Sequence, residues 1–73
     1  MKIWSEIYRG YKLICNPQLL SDGRFGARLL IQKDLRSEMQ EFDVGVKPSV
    51  YNSEEEAANG SRIAGRQWVD ERG

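Results

Sequence analysis

Arg24-Phe25-Gly26-Ala27-Arg28-Leu29-Leu30-Ile31-Gln32-Lys33, residues 24–33, alternates cleanly along its length. Phe25, Ala27, Leu29 and Ile31 fall on one side, and Arg24, Gly26, Arg28, Leu30 and Gln32 on the other. Successive side chains of a strand point to opposite faces, so this stretch reads as a β-strand with one apolar face. Ser21-Asp22-Gly23 before it is a turn signal, in which glycine supplies the positive φ that such loops often need. Working backward, residues 8–16 read as a partner strand, with Tyr11, Leu13 and Cys15 on one face and Lys12, Ile14 and Asn16 on the other. Pro17 cannot donate a ladder hydrogen bond and loosens that strand's end. Working forward, Asp34-Leu35-Arg36-Ser37 is a hairpin loop, and a third strand follows at about 38–45. It places Gln40, Phe42 and Val44 opposite Met39, Glu41 and Asp43. Residues 46–52, which hold Pro48, form a crossing loop.

A helix closes the chain. Ser53 followed by Glu56 forms a capping box, in which each side chain reaches an otherwise unpaired backbone N–H. Glu54, Glu55 and Glu56 also suit the positive end of the helix dipole. Ala57, Ser61, Ala64 and Trp68 then recur on one helical face. Gly60 and Gly65 lie beside that stripe and lower helix propensity by ~1 kcal/mol each, which implies that close packing requires them. Asp70 and Glu71 face the unfavourable end of the dipole, so fraying is expected there. The expectation is an α+β fold: a three-stranded antiparallel meander packed on one face by a single C-terminal helix, βββα. Residues 1–73 form a single domain, in which residues 1–7 are a segment packed onto it. Its large side chains Ile3, Trp4 and Ile7, with the adjoining Tyr8, lie over the open sheet or against the helix end. The expected core is Leu13, Phe25, Leu29, Ile31, Phe42, Val44, Ala57, Ala64 and Trp68.

Composition narrows the function. The 73 residues contain no histidine and one cysteine. Zinc is not credible with one thiol and no imidazole, and no metal or other cofactor is expected. Nucleophilic catalysis needs a base within reach of the nucleophile. The clustered carboxylates, Glu54 to Glu56, have a capping role instead, and Gly23-Arg24-Phe25-Gly26 fits no phosphate-binding loop. The chain is therefore not expected to be an enzyme. No apolar run approaches the ~20 residues of a membrane span, so no membrane partner is expected. Met1-Lys2-Ile3-Trp4-Ser5-Glu6 lacks the apolar region of a secretory signal. Cys15 reads as a small apolar strand residue in a reducing cytoplasm. Net charge is zero, yet residues 1–36 carry +4 and residues 37–73 carry −4. That split fits either a face for polyanions or mutual attraction of the two halves.

One helix covers one side of a sheet, so the other side must be solvated, covered by the N-terminal segment, or used. Lys12, Ile14, Arg24, Arg28, Leu30 and Met39 are the candidate interaction face, with Glu41 and Asp43 joining from the third strand. Pairs such as Arg28 with Glu41 would merely solvate it. The aliphatic residues suit another protein or a second copy in a homodimer. The arginines suit nucleic acid, the second choice, because two acids dilute the basic character of the face.

Tyr8-Arg9-Gly10-Tyr11, Pro17, Gly23-Arg24-Phe25-Gly26-Ala27-Arg28 leading to Ile31 and Lys33, Glu41-Phe42, Ser53-x-Glu55-Glu56-Ala57 and Trp68-Val69-Asp70-Glu71-x-Gly73 together resemble small bacterial proteins of the HlyU type, hemolysin-expression transcriptional regulators, and related uncharacterised sequences. That resemblance implies a βββα domain of bacterial, cytoplasmic origin and carries no site residues over. Tyr8-Arg9-Gly10, Gly23-Arg24-Phe25 with Ala27, and Ser53-x-Glu55-Glu56-Ala57-Ala58 also look like landmarks of the plant-type AP2 DNA-binding domain, which reads DNA with arginines and tryptophans on its sheet. Only Arg24 and Arg28 match such positions, and Glu41 and Asp43 intrude. The function expected is a non-enzymatic protein-interaction or self-association module, the alternative being an accessory DNA-binding, transcription-regulatory module.

Overall fold

The computed structural model describes residues 3–36 and 38–72. Its strands are β1 (Trp4–Tyr8), β2 (Tyr11–Cys15), β3 (Gln18–Leu19), β4 (Phe25–Gly26), β5 (Leu29–Leu35), β6 (Glu38–Val44) and β7 (Val50–Tyr51), followed by α1 (Glu54–Arg72). The fold is α+β, with antiparallel sheets and one C-terminal helix. The described strands form two sheets, one of four strands in the order β1-β2-β5-β6 and one of three in the order β3-β4-β7. The expected meander of three strands is present but bent, and it gains an edge strand.

The change of sheet lies on the other side of β5 from β2. Even-numbered residues carry the ladder of β2 with β5, so the missing N–H of buried Pro17 falls on the side away from β5, and the same register continues into β3 and β4. At the same level Asn16 N–H still donates to Arg28 O at 2.9 Å, whereas Ala27 N–H turns to Ser49 O at 2.8 Å. Beyond that level the chain pairs again as β3 with β4 and β4 with β7. The crossing loop expected at 46–52 therefore contains a strand.

The strand expected at 8–16 is in fact the end of β1, a turn and β2. Tyr8 pairs with Tyr11 across the two-residue loop Arg9-Gly10. Both loop residues have positive φ, 50° and 84°, as tight hairpin turns of type I′ require. The alternation of Trp4-Ser5-Glu6-Ile7-Tyr8 is hard to read in hydropathy because Glu6 interrupts the inward row of Trp4 and Tyr8 while Ile7 points outward. In the second hairpin Leu35 pairs with Glu38, which shortens the loop expected at 34–37 to two residues. Arg36 there has φ 53°, and Ser37 lies outside the described residues.

The core lies between the four-stranded sheet and α1. Leu13, Cys15, Leu29, Ile31, Val46, Ala57, Ala58 and Val69 are buried. Tyr8, Tyr11, Phe42, Val44, Ala64 and Trp68 pack against them half-buried. Phe25 is half-buried and belongs to the second sheet, between Leu19 and Tyr51. Residues such as Leu13, Leu29 and Ile31 contribute ~1.5–3 kcal/mol each by leaving water. The Ser53 cap forms, with Glu56 N–H donating to Ser53 Oγ at 3.1 Å.

The buried stripe of α1 is rotated from the expected one and runs through Ala57, Ala58, Ser61, Gly65 and Val69. Gly65 faces Leu13, and Gly60 faces the Tyr51 ring. Trp68 flanks the stripe, its ring centroid 4.9 Å from that of Phe42 and 5.7 Å from that of Tyr11. The helix runs to Arg72, and Asp70 is held there: Tyr8 Oη donates to Asp70 Oδ1 at 2.9 Å, and Arg9 Nη1 donates to the same oxygen at 2.9 Å.

Candidate interaction face

The cross-strand register sets out the sheet face turned away from α1. One row runs Ser5, Ile14, Leu30, Asp43; the next runs Ile7, Lys12, Gln32, Glu41; Asp34 and Met39 form a third pair. Strand periodicity puts these residues opposite Leu13, Cys15, Leu29 and Ile31, all of which are buried beneath α1. At the end of this face where β2 stops and β5 starts, Ile14, Asn16, Arg28, Leu30 and Asp43 line a groove of about 300 Å³. Ile14 and Leu30 are half-buried there, while Lys12 and Arg28 are exposed. Neither cation forms an ion pair among the described residues.

Of the six expected residues, Lys12, Ile14, Arg28 and Leu30 come together. Met39 shares the face but sits at its end, 59 % exposed. Arg24 is not on it. It lies in the turn before β4, where Arg24 Nε donates to Asp22 Oδ2 at 2.7 Å and Arg24 N–H donates to Asp22 Oδ1 at 3.0 Å. Those bonds from Arg24 hold the Asp22 carboxyl below its ordinary range. The strand expected from residue 24 begins at Phe25, so the parity that placed Arg24 on the platform does not extend that far. The pair suggested between Arg28 and Glu41 is replaced: Gln32 Nε2 donates to Glu41 Oε2 at 2.7 Å.

Ile7 was expected among the packed residues, and it is instead the most exposed large apolar side chain described, at 72 %. The alternation within residues 4–8 was the signal for it, since Trp4, Glu6 and Tyr8 occupy the inward positions of β1. On that inner side, Arg66 Nε donates to Glu6 Oε2 at 2.8 Å, and Arg62 Nε lies 3.9 Å from Glu6 Oε1. Strand β1 is thus a sheet edge clasped to α1, and among the described residues nothing covers the outer face.

A second, small cavity of about 40 Å³ lies between β1 and α1 and is lined by Trp4, Glu6, Cys15 and Arg62 among others. That volume suits a water molecule or two and no larger ligand. Burial pushes the Cys15 thiol above its ordinary range, which disfavours the nucleophilic thiolate. No described helix is long and apolar enough to cross a membrane. Compared with known proteins, the chain matches no family model, no curated protein and no solved structure.

Proposed function

We propose that this chain is a non-enzymatic interaction module that docks another protein, or a second copy of itself, through the uncovered face of its four-stranded sheet. The observation that carries the reading is the apolar pair Ile14 and Leu30, with exposed Ile7 in the next row, exposed Met39 at the end of the face, and Lys12, Arg28, Glu41 and Asp43 around them. Contiguous apolar surface within a polar rim is the usual composition of an interaction site. The HlyU-type likeness supports a bacterial, cytoplasmic setting for this role.

Accessory DNA binding is the second reading. Lys12 and Arg28, with no ion pairs among the described residues, favour it; Asp34, Glu41 and Asp43 on the same face oppose it, because phosphate contacts need a net positive surface. Leu30→Glu separates the two. Protein partners retained from a bacterial extract by the wild-type chain should be lost with Leu30→Glu and persist at high salt. Duplex DNA binding that survives Leu30→Glu and collapses as salt rises would instead establish the second reading. Protein retention unaffected by Leu30→Glu would refute the face.

A further inference from the structure

We infer that the occupant of this face is a second copy of the chain, packed sheet against sheet about a two-fold axis parallel to the strands; the inference rests on the interaction reading above. The charges on the face are divided by strand. The β1–β2 half carries Lys12 beside Ser5, Ile7 and Ile14, whereas the β5–β6 half carries Asp34, Glu41 and Asp43 against Arg28. Lys12 has Ile7 and Gln32 as its direct cross-strand partners, neither of them an acid, and it forms no ion pair among the described residues. Glu41 likewise faces only Gln32.

A two-fold axis along the strands, between β2 and β5, lays β2 over the partner's β5 and β1 over the partner's β6. Ile14 then meets the partner's Leu30, and Lys12 reaches across the partner's Gln32 to the partner's Glu41. The contact repeats in the other direction, as an isologous interface demands. Two sheets stacked this way lie ~10 Å apart with their strands near alignment. Four strands at ~4.8 Å spacing and ~3.3 Å per residue give a face of roughly 400 Å² per copy. That is below the usual size of a tight complex, so the dimer is weak and reversible.

Sedimentation equilibrium of the full chain, carried to millimolar concentration, tests this. The wild-type mass should climb from 8.4 kDa toward twice that value. Lys12→Glu and Glu41→Lys, both at exposed positions, should each weaken association at least about tenfold by setting like charges together. Mixed in equal amounts the two variants should recover wild-type association, because the heterodimer satisfies both contacts. A wild-type chain that stays monomeric at millimolar concentration would overturn the inference, as would a mixture no tighter than the separate variants. If the chain is monomeric yet Leu30→Glu still abolishes partner retention, the second copy is wrong and the interaction face stands. If retention is also unaffected, both fall.

Discussion

Gly65→Ala should destabilise the protein even though it removes a glycine from the middle of a helix. In an open helix the substitution gains about 1 kcal/mol. Here a Cβ at residue 65 would lie 3.0 Å from Leu13 Cδ1, 3.3 Å from Cδ2 and 3.5 Å from Cγ. Leu13 is fully buried on a central strand, and both of its methyls crowd the same point, so a rotation of χ2 only exchanges one clash for another. The helix must shift instead, and overpacking of this kind costs about 1–3 kcal/mol. The difference is a net loss of about 1 kcal/mol. With a urea m-value of about 1 kcal/mol/M for a chain of this size, the midpoint should fall by about 1 M. Urea unfolding followed by tryptophan fluorescence reads this, since Trp68 packs on Phe42 and Tyr11. Leu13→Val supplies the control: it removes both δ-carbons, costs about 1 kcal/mol itself, and leaves residue 65 room for a methyl. In that background Gly65→Ala should raise the midpoint, a coupling of about 1–2 kcal/mol between the two sites. If Gly65→Ala shifts the midpoint identically in both backgrounds, Leu13 does not set the distance between helix and sheet and the reasoning is wrong.

Ser61 is buried on the same stripe, and its Oγ has no hydrogen-bond partner among the described residues. Ser61→Ala should therefore stabilise by about 1 kcal/mol, visible as a rise of roughly 4–8 °C in Tm. Hydrogen bonds from Arg9 and then Tyr8 hold the Asp70 carboxyl below its ordinary 3.8, and the bond to Asp70 pushes the Tyr8 phenol above its ordinary 10.0. The lowered carboxyl contributes stability above 3.8 that is lost as pH falls through its folded value; the raised phenol contributes stability below 10.0 that is lost as pH rises through its own. Asp70→Asn should flatten the stability profile at both ends, and a profile with unchanged slopes would show that the clasp does not form. Buried Cys15 should react with a disulfide reagent only through opening of the fold, so its labelling rate should climb with sub-denaturing urea; a rate equal to that of a free thiol would show the residue to be exposed.

The parts legible in the sequence were those in which a repeating apolar pattern met an apolar surface. Leu29 and Ile31 turn inward and Leu30 outward as the alternation of residues 24–33 requires, and the Ser53 cap forms where its spacing places it. The failures came where the inward residue was not apolar. Glu6 faces α1 because Arg62 and Arg66 stand there, so a charge breaks the inward row of Trp4 and Tyr8 and hides the period of β1. Gly65 occupies the middle of the buried stripe without any hydropathy of its own, which drew the stripe toward Trp68 and away from Val69. Five of the six candidate residues, Lys12, Ile14, Arg28, Leu30 and Met39, followed from strand parity. Arg24 did not, because parity holds only while the chain stays extended, and residue 24 belongs to a turn.

The clasp between β1 and α1 bears on the order in which the chain assembles. Tyr8 and Asp70 are 62 residues apart, and Glu6 and Arg66 are 60 apart. The β1–β2 hairpin can close early, across a loop of two residues, but its inward carboxylate and phenol find their partners only once α1 has been made as far as Arg66 and Asp70. During synthesis, β1 is thus made before every other described strand, yet its contacts are completed only with α1. Until residues 62–66 arrive, Glu6 lacks Arg62 and Arg66, and Leu13 lacks the cover of the helix at Gly65. Any truncation that removes residues 62–72 should therefore be felt first at the opposite end of the sequence, as a loosening of its opening strand.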